Sequence, residues 1–196
     1  MAQQVVASAS MSLDGFIALP DDTVGPLFDW YEAGDVAVSN AGDLPDFHLT
    51  PASAAHWRAW IASIGALVVG RRLFDITDGW RGVHPLGVPV VVVTHRAPLD
   101  WAHADGADLV FETGGIEAAV ATAGRLAGEL DVGVAAGSIA GQVLAAGLLD
   151  AAAIDLVPVV LGRGKRYFGD QRDVLLGDPT TVVPSTRVTH LVLPVR

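Results

Sequence analysis

The sequence contains no cysteine, and this absence removes several kinds of chemistry at once. Without a thiol, the chain forms no disulfide, has no thiolate nucleophile and offers no sulfur ligand to a metal. Long apolar runs are also missing, because the most apolar stretch, residues 132–149, is interrupted by four glycines, a serine and a glutamine. This stretch falls short of the roughly 18 to 20 apolar residues that a membrane span needs. We therefore expect no membrane segment, and the composition suits a cytoplasmic enzyme.

Charged side chains are scarce, at 17% of the residues, and the net charge is −10. This balance disfavours nucleic-acid binding, because each phosphate contact needs a nearby cation. The few basic residues are concentrated at three places, residues 71–72, 95–96 and 163–166. Local basic clusters in an acidic protein are typical of a small anionic ligand. The sequence thus predicts a small-molecule partner and no nucleic acid.

Hydrophobic residues are abundant and make up 51% of the 196 positions. This proportion can form a large buried core and argues against disorder, which requires low hydrophobicity and high net charge. No linker divides the chain, and its length is within the range of one domain. We predict a single domain over residues 1–196.

Apolar runs alternate with helical patterns along the chain, which predicts an α/β fold. In residues 89–94, four consecutive valines indicate a strand with both faces covered by helices. Thr50 and Pro51 form a helix start, with proline at the first helical position. Residues 20–51 have no steady period and are predicted to be a long loop. The predicted strands are residues 5–10, 66–69, 89–94, 109–111, 132–135, 152–161, 182–183 and 187–195, and the predicted helices are residues 51–63, 71–78, 116–130 and 138–147.

Three predicted strands run directly into a turn or helix, at residues 69–71, 93–96 and 135–138. Each junction places backbone amides, or a hydroxyl and a cation, at the carboxyl end of a strand. Ligands of open α/β sheets bind at this edge, and helix N-termini favour phosphate. Together the junctions suggest a ligand with several phosphates, such as a dinucleotide. Each junction alone is better explained by a tight turn beside solvated arginines.

Several common site motifs are absent. Neither the G-x-G-x-x-G fingerprint of a Rossmann fold nor the phosphate-binding loop of nucleotide hydrolases occurs. The histidines show no metal-ligand spacing, and Ser138 lacks the G-x-S-x-G context of a hydrolase nucleophile. We predict no metal site and no hydrolase of the serine or zinc type.

The motifs that are present occur in a recognisable order. They are M-S-L-D-G-F-I-A at residues 11–18, G-A-L-V-V-G-R-R-L-F-D at 65–75, P-V-V-V-V-T-H-R at 89–96, G-L-L-D at 147–150 and V-P-V-V-L-G-R-G-K-R-Y-F at 157–168. With them the chain resembles the dihydrofolate-reductase-like superfamily, and within it the reductase domain of bifunctional riboflavin-biosynthesis deaminase-reductases. The resemblance implies a three-layer fold with a mostly parallel mixed sheet, helices on both faces and a C-terminal antiparallel hairpin.

The resemblance also implies NADPH as the cofactor. In the family, the loop after the first strand covers the nicotinamide, which would bring Ile17 and Ala18 to its carboxamide. Thr94 and Arg96 occupy the place of the adenosine 2′-phosphate, where a hydroxyl and a guanidinium suit a dianion. The alternative for Arg96 is an ordinary arginine of a surface loop.

Two junctions would bind the cofactor phosphates. Gly70, Arg71 and Arg72 would open the helix that faces them, and Gly137 and Ser138 would contact the pyrophosphate. The chain departs from the family just before this second pair, because the family's Gly-Gly is Ala135–Ala136 here. Methyl groups at these positions could hold the backbone away from the pyrophosphate.

Candidate substrate contacts are less clearly marked. Asp14 is an acid within a family motif and a candidate catalytic or substrate-binding residue, with an Asp-Gly turn as the alternative role. The aromatic side chains of Phe28, Trp30 and Trp80 either stack on a flat heterocycle or pack their own loops. Further candidate acids are Asp29, Glu32 and Asp35, which match no motif.

These features predict an NADPH-dependent oxidoreductase that reduces a C=N or carbonyl group of a small heterocyclic or ribosylated substrate. It would be related to 5-amino-6-(5-phosphoribosylamino)uracil reductase and would stand alone, because the chain lacks the zinc signature of the deaminase half. The alternatives are a non-catalytic or sequestering binding protein and a true dihydrofolate reductase. The apolar C-terminal strand and the resemblance together predict a homodimer.

Overall fold

The structure, a computed structural model, describes residues 3–196 and confirms the α/β class. In chain order the strands are β1 (Val5–Ser12), β2 (Phe16–Ala18), β3 (Val36–Val38), β4 (Phe47–Leu49), β5 (Ile64–Gly70), β6 (Val90–Val93), β7 (Leu109–Glu112), β8 (Asp131–Ala135), β9 (Ala151–Val157), β10 (Lys165–Arg166), β11 (Thr181–Ser185) and β12 (Val188–Pro194). The helices are α1 (Pro51–Ser63), α2 (Arg71–Ile76), α3 (Ile116–Ala127) and α4 (Ser138–Ala145), with short 3-10 segments at Gly25–Glu32 and Asp78–Gly82.

Eight strands form one sheet in the order β11-β12-β9-β1-β8-β5-β6-β7. The six strands from β9 to β7 are parallel, and β12 and β11 join them as an antiparallel hairpin at one edge. Because β1 lies between β8 and β9, segments that are distant in sequence meet at its carboxyl end. This is the dihydrofolate-reductase-like architecture that the sequence predicts.

Helices cover both faces of the sheet. On one face α3 and α4 place Ala119, Ala123 and Ala140 against Ala7 and Val68. These small side chains are fully buried and let the helices lie close to the strands. On the other face Trp60 of α1 packs against the cluster that contains the side chains of β5 and β6, and Trp57 lies in a cluster with Val157 of β9 and Val188 of β12.

The segment predicted as a long loop, residues 20–51, is more ordered than its sequence suggests. It contains a 3-10 helix at Gly25–Glu32 and the small antiparallel ribbon of β3 and β4. Leu27, Trp30 and Leu49 are buried in one cluster with Trp57 of α1. The burial of these side chains stabilises the segment, although their spacing fits neither the helical nor the strand period.

Two predicted elements extend three or four residues beyond the end of the observed ones. The ninth strand ends at Val157 rather than at residue 161, because Pro158 follows and has no N–H to donate. Helix α3 ends at Ala127 rather than at residue 130, because Gly128 has a φ of 64°, outside the helical region. The predicted start of α1 is confirmed, since the Thr50 side chain accepts a hydrogen bond from the Ser53 amide at 3.2 Å.

A segment after β9, residues 161–169, crosses the carboxyl ends of the central strands, and we call it the strap. Within it, β10 pairs with β2, and the Tyr167 amide donates to the Gly15 carbonyl at 3.1 Å. The Tyr167 hydroxyl lies 2.9 Å from the carbonyl oxygens of both Ala7 and Ala153. The strap therefore fixes the turn after β1 to the centre of the sheet.

Within residues 3–196, no helix combines the length and the apolar character that crossing a membrane would require.

Candidate active site

A cleft of about 970 Å³ opens on the α1 face of the sheet and reaches the carboxyl ends of β5 and β8. Its floor includes Ser8 and Ser10 of β1 and Ala153 and Asp155 of β9. A pocket of this size is at the upper end of the range for small-molecule and cofactor sites. The cleft therefore has room for a cofactor head group beside a small substrate.

The strand-to-helix junctions that the sequence singled out contribute one end of the cleft. Gly70, Gly137 and Ser138 line it, together with Ile17 and Ala18 from β2. Gly137 has a φ of 97°, which favours glycine, and its amide donates to the Tyr167 carbonyl at 2.7 Å. The strap thus positions the start of α4 beside β2.

This end also carries the cations of the cleft. Arg72 and Lys165 both lie beside Asp22, with the Lys165 Nζ atom 3.9 Å from the Asp22 carboxylate. The hydrogen bond from Arg72 holds the pKa of Asp22 below its ordinary value. Arg166 lines the cleft as well, and its guanidinium lies 5.2 Å from the centre of the Phe16 ring. Asp170 is a second lining acid at this end, and two acids against three cations leave it with a net positive charge.

Arg71, Thr94 and Arg96 form a separate group at the carboxyl ends of β5 and β6, beyond the lining of the cleft. The Arg71 guanidinium donates to the Arg96 carbonyl at 2.9 Å and to Asp75 at 2.7 Å. The Thr94 hydroxyl donates to the same Arg96 carbonyl at 2.9 Å. The structure thus groups Arg71 with Thr94 and Arg96, whereas the sequence placed it with Gly70 and Arg72, and it leaves the Arg96 side chain exposed.

The opposite end of the cleft is aromatic. Phe28, Tyr31, Trp57, Trp60 and Trp80 line it. The structure thus places two of the predicted aromatic contacts, Phe28 and Trp80, in the cleft wall. The sequence analysis did not predict a site role for Trp57 and Trp60 of α1, although their spacing of three residues would place both on one helix face.

Trp30, the third predicted aromatic contact, lies in the core rather than in the cleft wall. Only 1% of its surface is exposed, and its indole Nε1 donates to the Ser10 hydroxyl at 3.0 Å. Two candidate acids of the same segment face away from the cleft, because Asp29 pairs with Arg187 and Glu32 with His48 at the surface.

Asp155 is the acid that the structure places at the aromatic end of the cleft. Its Oδ1 atom lies 2.6 Å from Nδ1 of His190, which is fully buried, and His190 Nε2 lies 2.9 Å from the Ser53 hydroxyl. The sequence did carry a signal for this site. An ionisable residue in the otherwise apolar run of residues 151–157 is costly to bury without a partner.

Two further histidines lie at this end, and both are neutral at neutral pH. Burial, with a contribution from the nearby His190 ring, lowers the pKa of His56. Burial lowers the pKa of His84 to about 4. Burial and the Asp155 charge raise the pKa of Tyr31, so that its hydroxyl keeps its proton. The aromatic end therefore offers no cation from these side chains.

Three of these side chains, His56, Asp155 and His190, have potential metal-ligand atoms within 4.8 Å of one another. The sequence analysis found no metal site, because these residues come from α1, β9 and β12 and have no ligand spacing along the chain. The 2.6 Å hydrogen bond between Asp155 and His190 already accounts for two of the three groups without an ion.

Among known protein families, the model of the RibD C-terminal domain matches residues 3–188, nearly the whole chain. The chain belongs to this family.

Solved structures share the fold. The chain superposes on a protein described as a riboflavin biosynthesis protein from Shewanella with a TM-score of 0.68 and 21% identity, and the match covers 100% of this chain and 99% of the other. Acinetobacter baumannii RibD gives a TM-score of 0.64 at 17% identity, and the match covers 100% of this chain and 58% of RibD. A pyrimidine reductase-like protein from Corynebacterium diphtheriae gives 0.60 at 15% identity, with 99% and 92% of the two chains covered.

No curated protein gives a significant sequence match. The chain spans little more than half the length of the Acinetobacter RibD that it resembles.

The departure of the chain from the family pattern at Ala135–Ala136 lies inside the cleft. Both alanines line it, next to Gly137, so their methyl groups take up space at its cationic end. The last residue of the G-L-L-D motif, Asp150, has a structural role. Its carboxylate accepts from the Val5 amide at 2.7 Å and ties the start of β9 to the start of β1.

Asp14 does not line the cleft, and its partners are those of a structural residue. Its carboxylate accepts hydrogen bonds from the Ser12 hydroxyl at 2.6 Å and from the amides of Leu161 and Gly162 at 3.1 and 2.7 Å. It therefore joins the turn after β1 to the strap. A catalytic or substrate-binding role for Asp14 gains no support from this placement.

This arrangement predicts a pH-dependent contribution of Asp14 to stability. Hydrogen bonds from Ser12 and the strap amides lower the pKa of Asp14 from its ordinary value of 3.8. The carboxylate thus stabilises the fold above pH 3.8, and this contribution is lost as the pH falls through the lowered pKa. Asp14→Asn should reduce the urea midpoint at neutral pH, and its difference from the native protein should shrink in acid.

The exposed Asp105 provides the matched control, because Asp105→Asn removes the same charge without touching the strap. A difference between Asp14→Asn and the native protein that stays constant down to strongly acidic pH would contradict this assignment.

Proposed function

We propose that this protein is an NADPH-dependent reductase of a small heterocyclic substrate. The observation that carries the proposal is the continuity of the cleft, which joins glycine-rich strand ends and cations to an aromatic pocket. Membership of the RibD C-terminal domain family supports an oxidoreductase of this type. The Corynebacterium relative named as pyrimidine reductase-like and the Thermotoga maritima relative named as a 5-amino-6-(5-phosphoribosylamino)uracil reductase support a nitrogen heterocycle as the substrate class.

The residues at the cationic end fit a dinucleotide. Gly137 carries no side chain at the cleft wall, and Arg72, Lys165 and Arg166 supply positive charge for a pyrophosphate. At Gly70 the missing side chain makes room for Ile139 of α4, since a β-carbon there would lie 3.0 Å from it. A β-carbon at Gly137 would lie 3.4 Å from Ile17, which shows how close the two walls are there. Ile17 and Ala18 would hold the nicotinamide end, and Gly137 and Ser138 would contact the pyrophosphate.

The group of Arg71, Thr94 and Arg96 would bind the adenosine 2′-phosphate. It lies on β5 and β6, farther along the same carboxyl edge of the sheet. Arg71 binds the backbone of residue 96 and thereby holds the loop, while the exposed Arg96 side chain is free to reach a phosphate. This arrangement favours NADPH over NADH.

When bound, the cofactor supplies a hydride to a C=N or carbonyl carbon of the substrate. The protein's own contribution is orientation and the exclusion of water. The aromatic side chains would hold a flat ring against the floor formed by β1 and β9. The strap, through the pairing of β10 with β2, holds Ile17 and Ala18 at the other end of the cleft. Fixing two reactants in this way supplies much of the acceleration in such reactions.

Cofactor choice tests the proposal. NADPH should bind more tightly than NADH by about 1.5–3 kcal/mol, the range for hydrogen bonds to a charged group. Arg96→Ala should remove most of this difference and leave NADH affinity unchanged, because NADH lacks the 2′-phosphate. Titration calorimetry with both cofactors measures the effect.

Arg125→Ala is the matched control, because Arg125 is an exposed arginine of α3, on the other face of the sheet. Equal affinity of the native protein for the two cofactors would contradict the proposal. Tight binding of NADPH without turnover of any heterocycle would instead favour the sequestering protein that the sequence left as an alternative.

We also propose that the protein is a homodimer. Val182, Leu191 and Ile154 are paired across β11, β12 and β9, so they form an apolar row on one face of the sheet. Exposure increases along the row from the buried Ile154 to Val182, which is 55% exposed. An apolar surface of this kind favours association through a symmetric contact.

Light scattering at micromolar concentration should give twice the chain mass of 20.3 kDa. Val182→Lys, which places a charge in the row, should shift the protein to the monomer mass. A native protein that stays at the monomer mass across a tenfold dilution range would refute the dimer.

A further inference from the structure

We propose that Asp155 anchors the substrate, and that the substrate is a flat heteroaromatic ring with adjacent N–H donors and no phosphate group. This inference deepens the proposed function and rests on it for the identity of the site as a substrate pocket. It depends on the juxtaposition of one carboxylate, a buried histidine and an aromatic wall.

The Asp155 carboxylate has one oxygen engaged and one available. Oδ1 accepts from Nδ1 of His190, and within residues 3–196 no hydrogen bond reaches Oδ2. The side chain lines the cleft and is 19% exposed, so this second oxygen can be reached from the cleft. A carboxylate in such a position accepts hydrogen bonds from a bound molecule and donates none.

The orientation of this carboxylate is fixed from behind. Because a carboxylate only accepts, the shared proton lies on His190 Nδ1, and Nε2 faces the Ser53 hydroxyl. Ser53 in turn hydrogen-bonds Ser185 at 2.8 Å, and His56 stacks on the His190 ring at 4.4 Å. His190 is therefore a positioning residue, since it is fully buried and acts through Asp155.

The surroundings of Asp155 select a flat partner. Ser10 of β1 is paired directly with Asp155 and also lines the cleft. Tyr31 and Trp57, whose rings lie 5.7 Å apart, form part of the wall above this floor. A ring that stacks on these aromatic side chains presents its edge to the carboxylate, where adjacent N–H groups make paired hydrogen bonds.

The same surroundings disfavour a phosphate group directly beside Asp155. The lining cations come from α2 and β10, where Arg72 and Lys165 share Asp22 and Arg166 lies over Phe16. The strands β9 and β5 are separated by β1 and β8, which places Asp155 about 14 Å from the start of α2 at the usual strand spacing. His56 and His84 are neutral, so a phosphate beside Asp155 would meet a like charge with no cation among these histidines.

Calorimetry with three small probes tests the inference, with and without saturating NADPH. We expect 2-aminobenzimidazole to bind about ten- to a hundredfold more tightly than 2-methylbenzimidazole, because only the former offers adjacent N–H donors to a charged acceptor. Asp155→Asn should abolish this preference, whereas Asp105→Asn, the same change at an exposed site, should retain it. Uridine 5′-phosphate should not displace the amino probe.

The positioning role of His190 is tested by two substitutions. His190→Asn keeps an N–H near the position of Nδ1 and should keep the preference for the amino probe. His190→Leu should lower the affinity for the amino probe and leave that for the methyl probe unchanged. A loss of general structure would lower both affinities together, which separates the two explanations.

Equal affinities for the two benzimidazoles, or a preference that persists in Asp155→Asn, would overturn the inference. Displacement of the amino probe by uridine 5′-phosphate would overturn its phosphate-free part. The titrations without NADPH keep this test separate from the test of the proposed function. If NADPH does not bind but the probe preference holds, the reductase proposal fails and the anchor stands.

Discussion

The hydrogen bonds of the strap hold together the parts of the structure that matter for function. Asp14 accepts from the Leu161 and Gly162 amides, the Tyr167 amide donates to Gly15, and the Tyr167 carbonyl accepts from Gly137. Three segments that are far apart in sequence are thereby fixed around one strand end. The position of β2 over the cleft, and of the start of α4 beside it, depends on these contacts.

The cleft that results has two chemically different ends. One end combines glycines, helix starts and three lining cations, and the other combines aromatic rings with a single acid. Arg72 follows β5, whereas Asp155 lies on β9, and β1 and β8 separate these two strands in the sheet. Lys165 and Arg166 lie on β10, where they pair with β2. A charged cofactor and an uncharged ring can therefore occupy one cleft without competing for the same groups.

The sequence predicted those features of the structure that local sequence patterns specify. The four-valine strand, the Thr50–Pro51 helix start and the C-terminal hairpin are determined by local composition, and the resemblance gave their topology. The aromatic end of the cleft was not predictable in the same way. Asp155, His190 and Ser53 belong to three elements that only the folded sheet brings together. The sequence signal for Asp155 was an acid inside an apolar strand. The sequence instead favoured Asp14 as the catalytic or substrate-binding acid, because Asp14 lies in a family motif.

A crystal structure of the complex with NADPH tests the central claim most directly, because the claim assigns each end of the cleft to one ligand. The account predicts the nicotinamide carboxamide beside Ile17 and Ala18, the 2′-phosphate in contact with Thr94 or Arg96, and the Asp155 end left open. A cofactor bound across Asp155, or bound outside the cleft altogether, would contradict it.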